Sequence, residues 1–482
     1  MFAKSSLRII GILCLVFCLP LLPTLLVSWW YDDGEILDFA KFLLALLITG
    51  FALWLPFRTQ PINLRRKDGF LIVVIFWVLL GILGTLPFMF GLHISFTDAL
   101  FESVSGLTTT GATILTGLDD MQPSILFYRQ ELQWFGGMGL IMLAVAILPV
   151  LGIGGMSMYL AETPGPMKEE KITPRLARGA KLLWMIYVGM TLACALAYWL
   201  GGMSLFDAIC HSFSTISTGG FSTHDSSLGY FHSPAIDDVA IVFMMLGGIN
   251  FSIHFLVIKK ENLLLYFKDV EVRTFILFVV IVAMLVSFSL LLEGYEKGPY
   301  LSIENAIFEV VSVVTSTGFG VDDFSTWPLY LPFLLIAISF IGGCGGSTAG
   351  GMKVIRILTL IRLSYREIVR LIHPKVVFPE KVGTGQTVSP RVAESIFGFF
   401  SMYVVSFIVL MLSMMAVGTD QVTAFSAIAT CMNNLGPGLG EVAQTFGSIN
   451  EPGKLISIVA MLLGRLELLT VLVLLHPDFW NR

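Results

Sequence analysis

Long apolar runs separated by short polar breaks fill most of this chain. Runs approaching the ~20 residues that cross a hydrocarbon core as a helix fall at residues 8–29, 37–57, 70–92, 124–150, 180–202, 236–258, 273–293, 329–362, 393–417 and 453–476. Ten crossings put both termini on one side. The first run follows Lys4 and Arg8, as a signal peptide's would. It is longer than the ~7–15 residues of such a segment, lacks a small-residue cleavage site and precedes a second span, so it reads as a retained transmembrane helix.

After the second span the polar breaks repeat. Ser105-Gly-Leu-Thr-Thr-Thr-Gly-Ala112, Ser214-Thr-Ile-Ser-Thr-Gly-Gly-Phe221, Ser312-Val-Val-Thr-Ser-Thr-Gly-Phe319 and Thr430-Cys-Met-Asn-Asn-Leu-Gly-Pro437 align without gaps. Each carries a hydroxyl residue six positions before a glycine (Gly111, Gly220, Gly318, Gly436) and a polar residue thirteen before it (Asp98, Asp207, Asn305, Thr423). One such motif is an ordinary loop signal, but four in register define an internal repeat, which decides the fold. The segment ahead of each glycine would be only ~16 Å long as a helix, enough to enter the bilayer but not to cross it. Asp98 and Asp207 suit the N-terminal ends of these half-length helices as caps. Each returning span carries a second landmark, Gly136-Gly137, Gly247-Gly248, Gly342-Gly343 and Gly464-Arg465. The expected fold is an all-α polytopic membrane protein. Two N-terminal helices (residues 1–69) precede four helix–half-helix–helix units (70–160, 161–260, 261–391 and 392–482) around a pseudo-fourfold axis.

Basic residues orient the spans. Arg58, Arg65, Arg66, Lys67, Lys168, Lys171, Arg175, Arg178, Lys181, Lys259, Lys260, Lys268, Arg273 and a run from Lys353 to Arg391 share the side of the N-terminus; the opposite side holds only Lys41, Arg129, Lys297 and Lys454 near its span ends. The positive-inside bias puts both termini in the cytoplasm. Composition agrees: 56% of residues are hydrophobic and 13% charged, about half the charge of a soluble domain.

Irregular backbone at membrane depth is tolerated only where protein buries it or water lines it. Four glycine segments around one axis would present rows of backbone carbonyls able to replace the hydration shell of a potassium ion. The C-terminal ends of the half-length helices would add partial negative charge there. The candidate ion-binding residues are Thr109, Thr110 and Gly111; Thr218, Gly219 and Gly220; Ser316, Thr317 and Gly318; and Asn434, Leu435 and Gly436. Close helix packing is the competing use of such glycines.

Six of the ten residues from Gly342 to Gly351 are glycine, which weakens a helix there by about 5 kcal/mol. The eighth span should break into an intramembrane loop, and Gly342, Gly343, Gly345, Gly346, Ser347, Thr348, Gly350 and Gly351 are candidate gate residues. A static kink is the alternative, and a phosphate loop is excluded because Lys353 lacks the required Gly-Lys-Ser/Thr order. Arg465 aligns with glycines in the other three returning spans. Buried arginines in membranes usually face a cavity or a partner, so it should line the pathway beside the loop, unless it pairs with Glu102 or Glu309.

The motifs and architecture resemble the TrkH/KtrB/HKT superfamily of potassium transporters, closest to its bacterial TrkH branch because two helices precede the repeats. The resemblance covers residues 70–476 at least. It implies that Gly111, Gly220, Gly318 and Gly436 form a selectivity filter, with potassium preferred because sodium-preferring members carry serine at the first position. It also implies a homodimer in the cell inner membrane and a ring of TrkA-like, nucleotide-binding cytoplasmic subunits. The basic stretch Lys353, Arg356, Arg362, Arg366 and Arg370 could dock them, or could simply be a positive-inside flank. The fourth motif departs from the others at Asn434-Leu435 and Pro437, which puts its symmetry in doubt. No GxGxxG follows a strand, so no nucleotide is expected on this chain, and no nucleic-acid partner is expected. His211, His224, His232 and His254 lack metal-ligand spacing, and the six cysteines read as packing residues. No catalytic constellation appears. A proton- or sodium-coupled carrier is the runner-up, disfavoured by four parallel repeats rather than two inverted ones.

Overall fold

The computed structural model describes residues 2–18, 21–59, 66–142, 172–294, 298–328, 330–373 and 390–480, and among them every regular element is helical. Among the described residues five helices are long and apolar enough to span a bilayer: Ile36–Phe57, Gly69–Gly91, Lys181–Leu200, Val270–Leu292 and Ala393–Ala416. Their outward faces carry large apolar side chains, such as Leu192 at 66% and Phe288 at 63% exposure. On helices of this length and apolarity such a surface fits a lipid environment. The chain is a multi-pass membrane protein. Arg65, Lys168, Lys171, the end of the fourth expected span and part of the basic run towards Arg391 lie outside the described residues.

The expected straight spans at 236–258 and 453–476 are bent. Pro234–Gly247 meets Phe251–Lys260 at 97°, and Glu451–Arg465 meets Leu468–Leu475 at 112°. At the first break Asn250 restarts the helix, its Oδ1 accepting the Ser252 N–H at 2.8 Å. The carbonyls freed there are taken up: Gly247 O accepts from Thr348 N–H at 3.3 Å and Gly248 O from Cys344 N–H at 2.9 Å. At the second break Glu467 sits in the left-handed region at φ +56°. The eighth span divides into Leu331–Ser339 and Val354–Ile372, as its glycines lead one to expect.

The four half-length helices are Phe96–Leu107, Leu205–Ile216, Pro299–Val314 and Gln421–Asn433. Asp98 and Asp207 are not their caps. Ser95 and Ser204 are, accepting the N–H of Asp98 at 3.1 Å and of Asp207 at 3.0 Å. Each aspartate stands three residues inside, where its carboxylate accepts the serine hydroxyl and its charge suits the helix N-terminus. Its carboxylate also reaches elsewhere, Asp98 to Lys454 at 2.6 Å and Asp207 to the Thr223 hydroxyl at 2.7 Å.

Glycines in three returning helices lie against the ends of these half-length helices. A β-carbon at Gly136 would overlap the Leu107 carbonyl, and one at Gly464 the Met432 carbonyl; one at Gly247 would press on Ile216 O at 3.3 Å. The N-terminal helices pack against the first repeat through Phe39 and Phe42, whose rings meet Tyr128 at 5.4 and 5.9 Å. Gly189, on a lipid-facing helix, has nothing within 4 Å of where a β-carbon would stand. Gly136→Ala should therefore lower the thermal unfolding midpoint in detergent, while Gly189→Ala leaves it unchanged or raises it through helix propensity worth about 1 kcal/mol. Equal midpoints for the two variants would contradict this packing.

Candidate ion pathway

All four half-length helices end the same way. Thr109, Thr218, Ser316 and Asn434 adopt φ of +52°, +53°, +54° and +53°. The next residue's N–H returns to the carbonyl five positions back: Thr110 to Ser105 at 2.9 Å, and Gly219 to Ser214, Thr317 to Ser312 and Leu435 to Thr430 at 2.8 Å. This is a Schellman ending, which glycine usually provides. Threonine, serine and asparagine hold the left-handed turn here at a cost of order 1 kcal/mol each. The glycine that follows is left-handed as well, with Gly111, Gly220 and Gly318 at +77°, +78° and +81° and Gly436 at +96°. Despite its different residues, the fourth segment follows the same backbone course.

Each glycine touches the next repeat. A β-carbon on Gly111 would overlap the Gly219 carbonyl, on Gly220 that of Thr317, on Gly318 that of Leu435, and on Gly436 would crowd that of Thr110 at 2.8 Å. The contacts run one way round and close on themselves. A second ring runs through the following loops. Gly117 N–H reaches Asp225 at 2.9 Å, Gly229 N–H reaches Gly320 O at 3.1 Å, Gln444 reaches Asp323 at 3.4 Å, and Phe446 N–H reaches Thr113 O at 2.8 Å. Three of the four glycines open onto one cavity of about 360 Å³, lined by Gly111, Gly220 and Gly318, by Leu435 of repeat four and by the acidic Glu309 and Asp322.

In repeats one to three, side chains nine positions before the glycines brace the chain beyond them. Glu102 accepts from the Thr113 hydroxyl at 3.0 Å and Ile114 N–H at 3.1 Å. His211 Nε2 meets the Ser222 hydroxyl at 2.9 Å, and Glu309 accepts the Val321 N–H at 2.9 Å. Arg129, fully buried, donates to Glu102 at 2.8 Å, to Ser222 O at 3.0 Å and to Thr113 Oγ1 at 3.2 Å. Glu102 and Glu309 are thus committed to the loops, and neither pairs with Arg465.

Below the ring lies the glycine-rich loop. Gly342, Gly346 and Gly351 are left-handed at +71°, +72° and +74°, and Gly343 packs on the Gly248 carbonyl. Its neck closes through Met352 N–H to Phe340 O and Val354 N–H to Gly343 O, both 3.0 Å. Glu271 accepts from Gly345 N–H at 2.7 Å and Ile355 N–H at 3.2 Å, tying both ends together. Ser347 Oγ folds back to Cys344 O at 2.6 Å. Thr348 donates to Ile216 O at 3.0 Å, Gly350 N–H to Ser316 Oγ, and a β-carbon on Gly350 would overlap the Asn433 carbonyl. The loop therefore lies under the helix ends of repeats two, three and four. Arg465 links it to repeat one, donating to Thr348 O at 2.9 Å and Gly136 O at 3.0 Å. Its partners are backbone carbonyls.

A family model described as TrkH, a cation transport protein, matches residues 36–481. The chain belongs to the TrkH family. It is a cation transport protein and not an enzyme. It is 52% identical to the Trk system potassium uptake protein TrkH of Vibrio parahaemolyticus serotype O3:K6, and 48% identical to that of Escherichia coli strain K12, over 99% of each chain in both cases. The crystal structure of the potassium transporter TrkH from Vibrio parahaemolyticus superimposes with a TM-score of 0.93 at 49% identity, covering 100% of both chains.

For this TrkH-family chain, sequence reasoning missed Arg129, Gln133 and Glu271 as parts of the site, and weighed Glu102 and Glu309 only as partners for Arg465. Arg129 looked like a flank, although Arg129, Gln130, Glu131 and Gln133 inside one apolar span were a usable signal. His224, in the loop beyond Gly220, joins repeats as well. Its Nδ1 is 2.6 Å from Asp119 and its Nε2 3.6 Å from Asp207, and its ring stacks on Tyr230 at 3.5 Å. Partial burial lowers its pKa, but the facing Asp207 and Asp119 carboxylates outweigh this and raise it above the ordinary 6.5. A raised pKa means stability that is complete below 6.5 and is lost as pH rises through the higher folded value. His224→Gln should lower the unfolding midpoint at acidic pH, and the gap should close towards alkaline pH. A gap independent of pH would contradict the ion pair.

Proposed function

We propose that this chain carries potassium ions into the cell through the ring of four glycine segments, with the glycine-rich loop as its gate. The observation that carries this reading is the closed circuit in which each glycine abuts the next repeat's carbonyl. Four carbonyls at such a circuit offer a dehydrated cation the oxygen ligands it loses from water. The four half-length helices end at the ring and lend it their partial negative charge, and acids at the mouth raise the local cation concentration. The relatives named as potassium uptake proteins support potassium as the ion. Thr109, Thr218, Ser316 and Asn434 set the turn into each segment; Thr110, Gly219, Thr317 and Leu435 supply the facing carbonyls; Gly111, Gly220, Gly318 and Gly436 permit the approach.

An ion leaving the ring meets the loop and the Arg465 guanidinium, a steric and electrostatic barrier together. Opening moves the loop out of its contacts with Ile216 and Ser316, which requires something that binds the open state more tightly. In this reading the opener is a ring of TrkA-like, nucleotide-binding subunits on the cytoplasmic face, the chain is a homodimer in the inner membrane, and both termini are cytoplasmic.

Gly220→Ser puts a side chain on a left-handed residue against the Thr317 carbonyl. It should cut the preference for potassium over sodium at least tenfold, about 1.4 kcal/mol, read from bi-ionic reversal potentials. An unchanged preference would remove the ring from the permeation path. Arg465→Gln should raise potassium flux into liposomes severalfold without any partner protein; flux at or below the wild-type level counts against the barrier.

A further inference from the structure

Gln133 is completely buried one helical turn beyond Arg129, on the returning helix of repeat one, yet its amide is spent on repeat two. Its Nε2 donates to Gly219 O at 2.6 Å and its Oε1 accepts from Phe221 N–H at 3.1 Å. The two bonds straddle Gly220. In repeats one and three the same stretch is held from within: Ser105 Oγ donates to Ala112 O at 2.5 Å and Ser312 Oγ to Phe319 O at 2.7 Å, each reaching the residue after the glycine. Repeat two keeps the corresponding Ser214, but its Oγ has no partner among the described residues. Repeat four uses neither device. Thr430 turns back to Ser426 O at 2.9 Å, and Asn434 anchors its segment by donating to Thr110 Oγ1 at 3.0 Å and Met461 O at 3.1 Å.

We infer that Gln133 is a specificity-positioning residue for ion permeation. It supplies from the neighbouring repeat the brace that repeat two lacks, and so fixes the spacing of the Gly219 carbonyl in the ring. This inference rests on the reading of the ring as the ion path. A ring discriminates between cations by how firmly its oxygens resist closing on a smaller ion, or by how many of them face it. An unbraced Gly219 would relax either control. The bond to Gln133 also occupies part of this carbonyl's acceptor capacity, so repeat two contributes an oxygen unlike the other three.

The test uses the full-length protein reconstituted in planar bilayers under opposed potassium and sodium gradients. Gln133→Leu keeps the bulk and removes both hydrogen bonds. Its sodium-to-potassium permeability ratio is expected to rise about tenfold over wild type. A merely structural role would reduce the number of conducting proteins and leave the reversal potential where it was, and that result overturns the inference. If Gln133→Leu does not yield folded protein, Gln133→Glu carries the same readout. It keeps an acceptor for Phe221 N–H and loses the donor to Gly219 O, so a smaller shift in the same direction is expected, and a wild-type reversal potential again overturns the inference. The underlying reading fails separately: wild-type protein that does not distinguish the two ions defeats the ring, whereas a selective wild type beside an equally selective Gln133→Leu defeats only the role of Gln133.

Discussion

The structure depends on backbone approaching backbone at membrane depth. A carbonyl at membrane depth that meets neither a donor nor a water-filled path costs several kcal/mol. Here the solution is collective. Each left-handed turn returns one N–H to its own helix, and each following glycine lets the next repeat's carbonyl come closer than any side chain would allow. Because the contacts form a circuit, no repeat can be positioned alone. The acid and histidine braces nine residues upstream, and the second ring of loop contacts, then hold the circuit from behind and from outside.

The repeats share a backbone but not their supports. Repeats one and three use an internal serine, repeat two borrows Gln133, and repeat four relies on Asn434. The third repeat also gives up the returning-helix glycine contact that the other three make. In its place stands the glycine-rich loop, whose N–H groups occupy the carbonyls freed where the second returning helix breaks. Bend and loop are therefore one feature: the helix of repeat two breaks where the loop of repeat three needs acceptors.

Much of this was legible in the chain itself. The four glycines, the half-length helices and the broken eighth span follow from spacing and from the cost of glycine in a helix, both local properties. The bends at Gly248–Asn250 and Glu467 were not legible, because the apolar pattern runs straight through them and only their distant partners reveal them. The caps were misplaced by three residues because Asp98 and Asp207 bond to the capping Ser95 and Ser204, and either residue type suits a helix start. Glu102 and Glu309 were the alternative partners that charge alone offered Arg465. Geometry matches Glu102 to Arg129 and gives Glu309 to backbone N–H groups, partners that are uniform along any sequence and therefore invisible in it.

The most direct measurement is the reversal potential of the reconstituted wild-type protein under opposed potassium and sodium gradients, repeated across a pH gradient. If the glycine circuit is the ion path, the potential lies near the potassium equilibrium value and ignores pH. A potential that moves with pH would mean that transport is coupled to protons, and the four glycines would then be a packing device around a carrier site elsewhere.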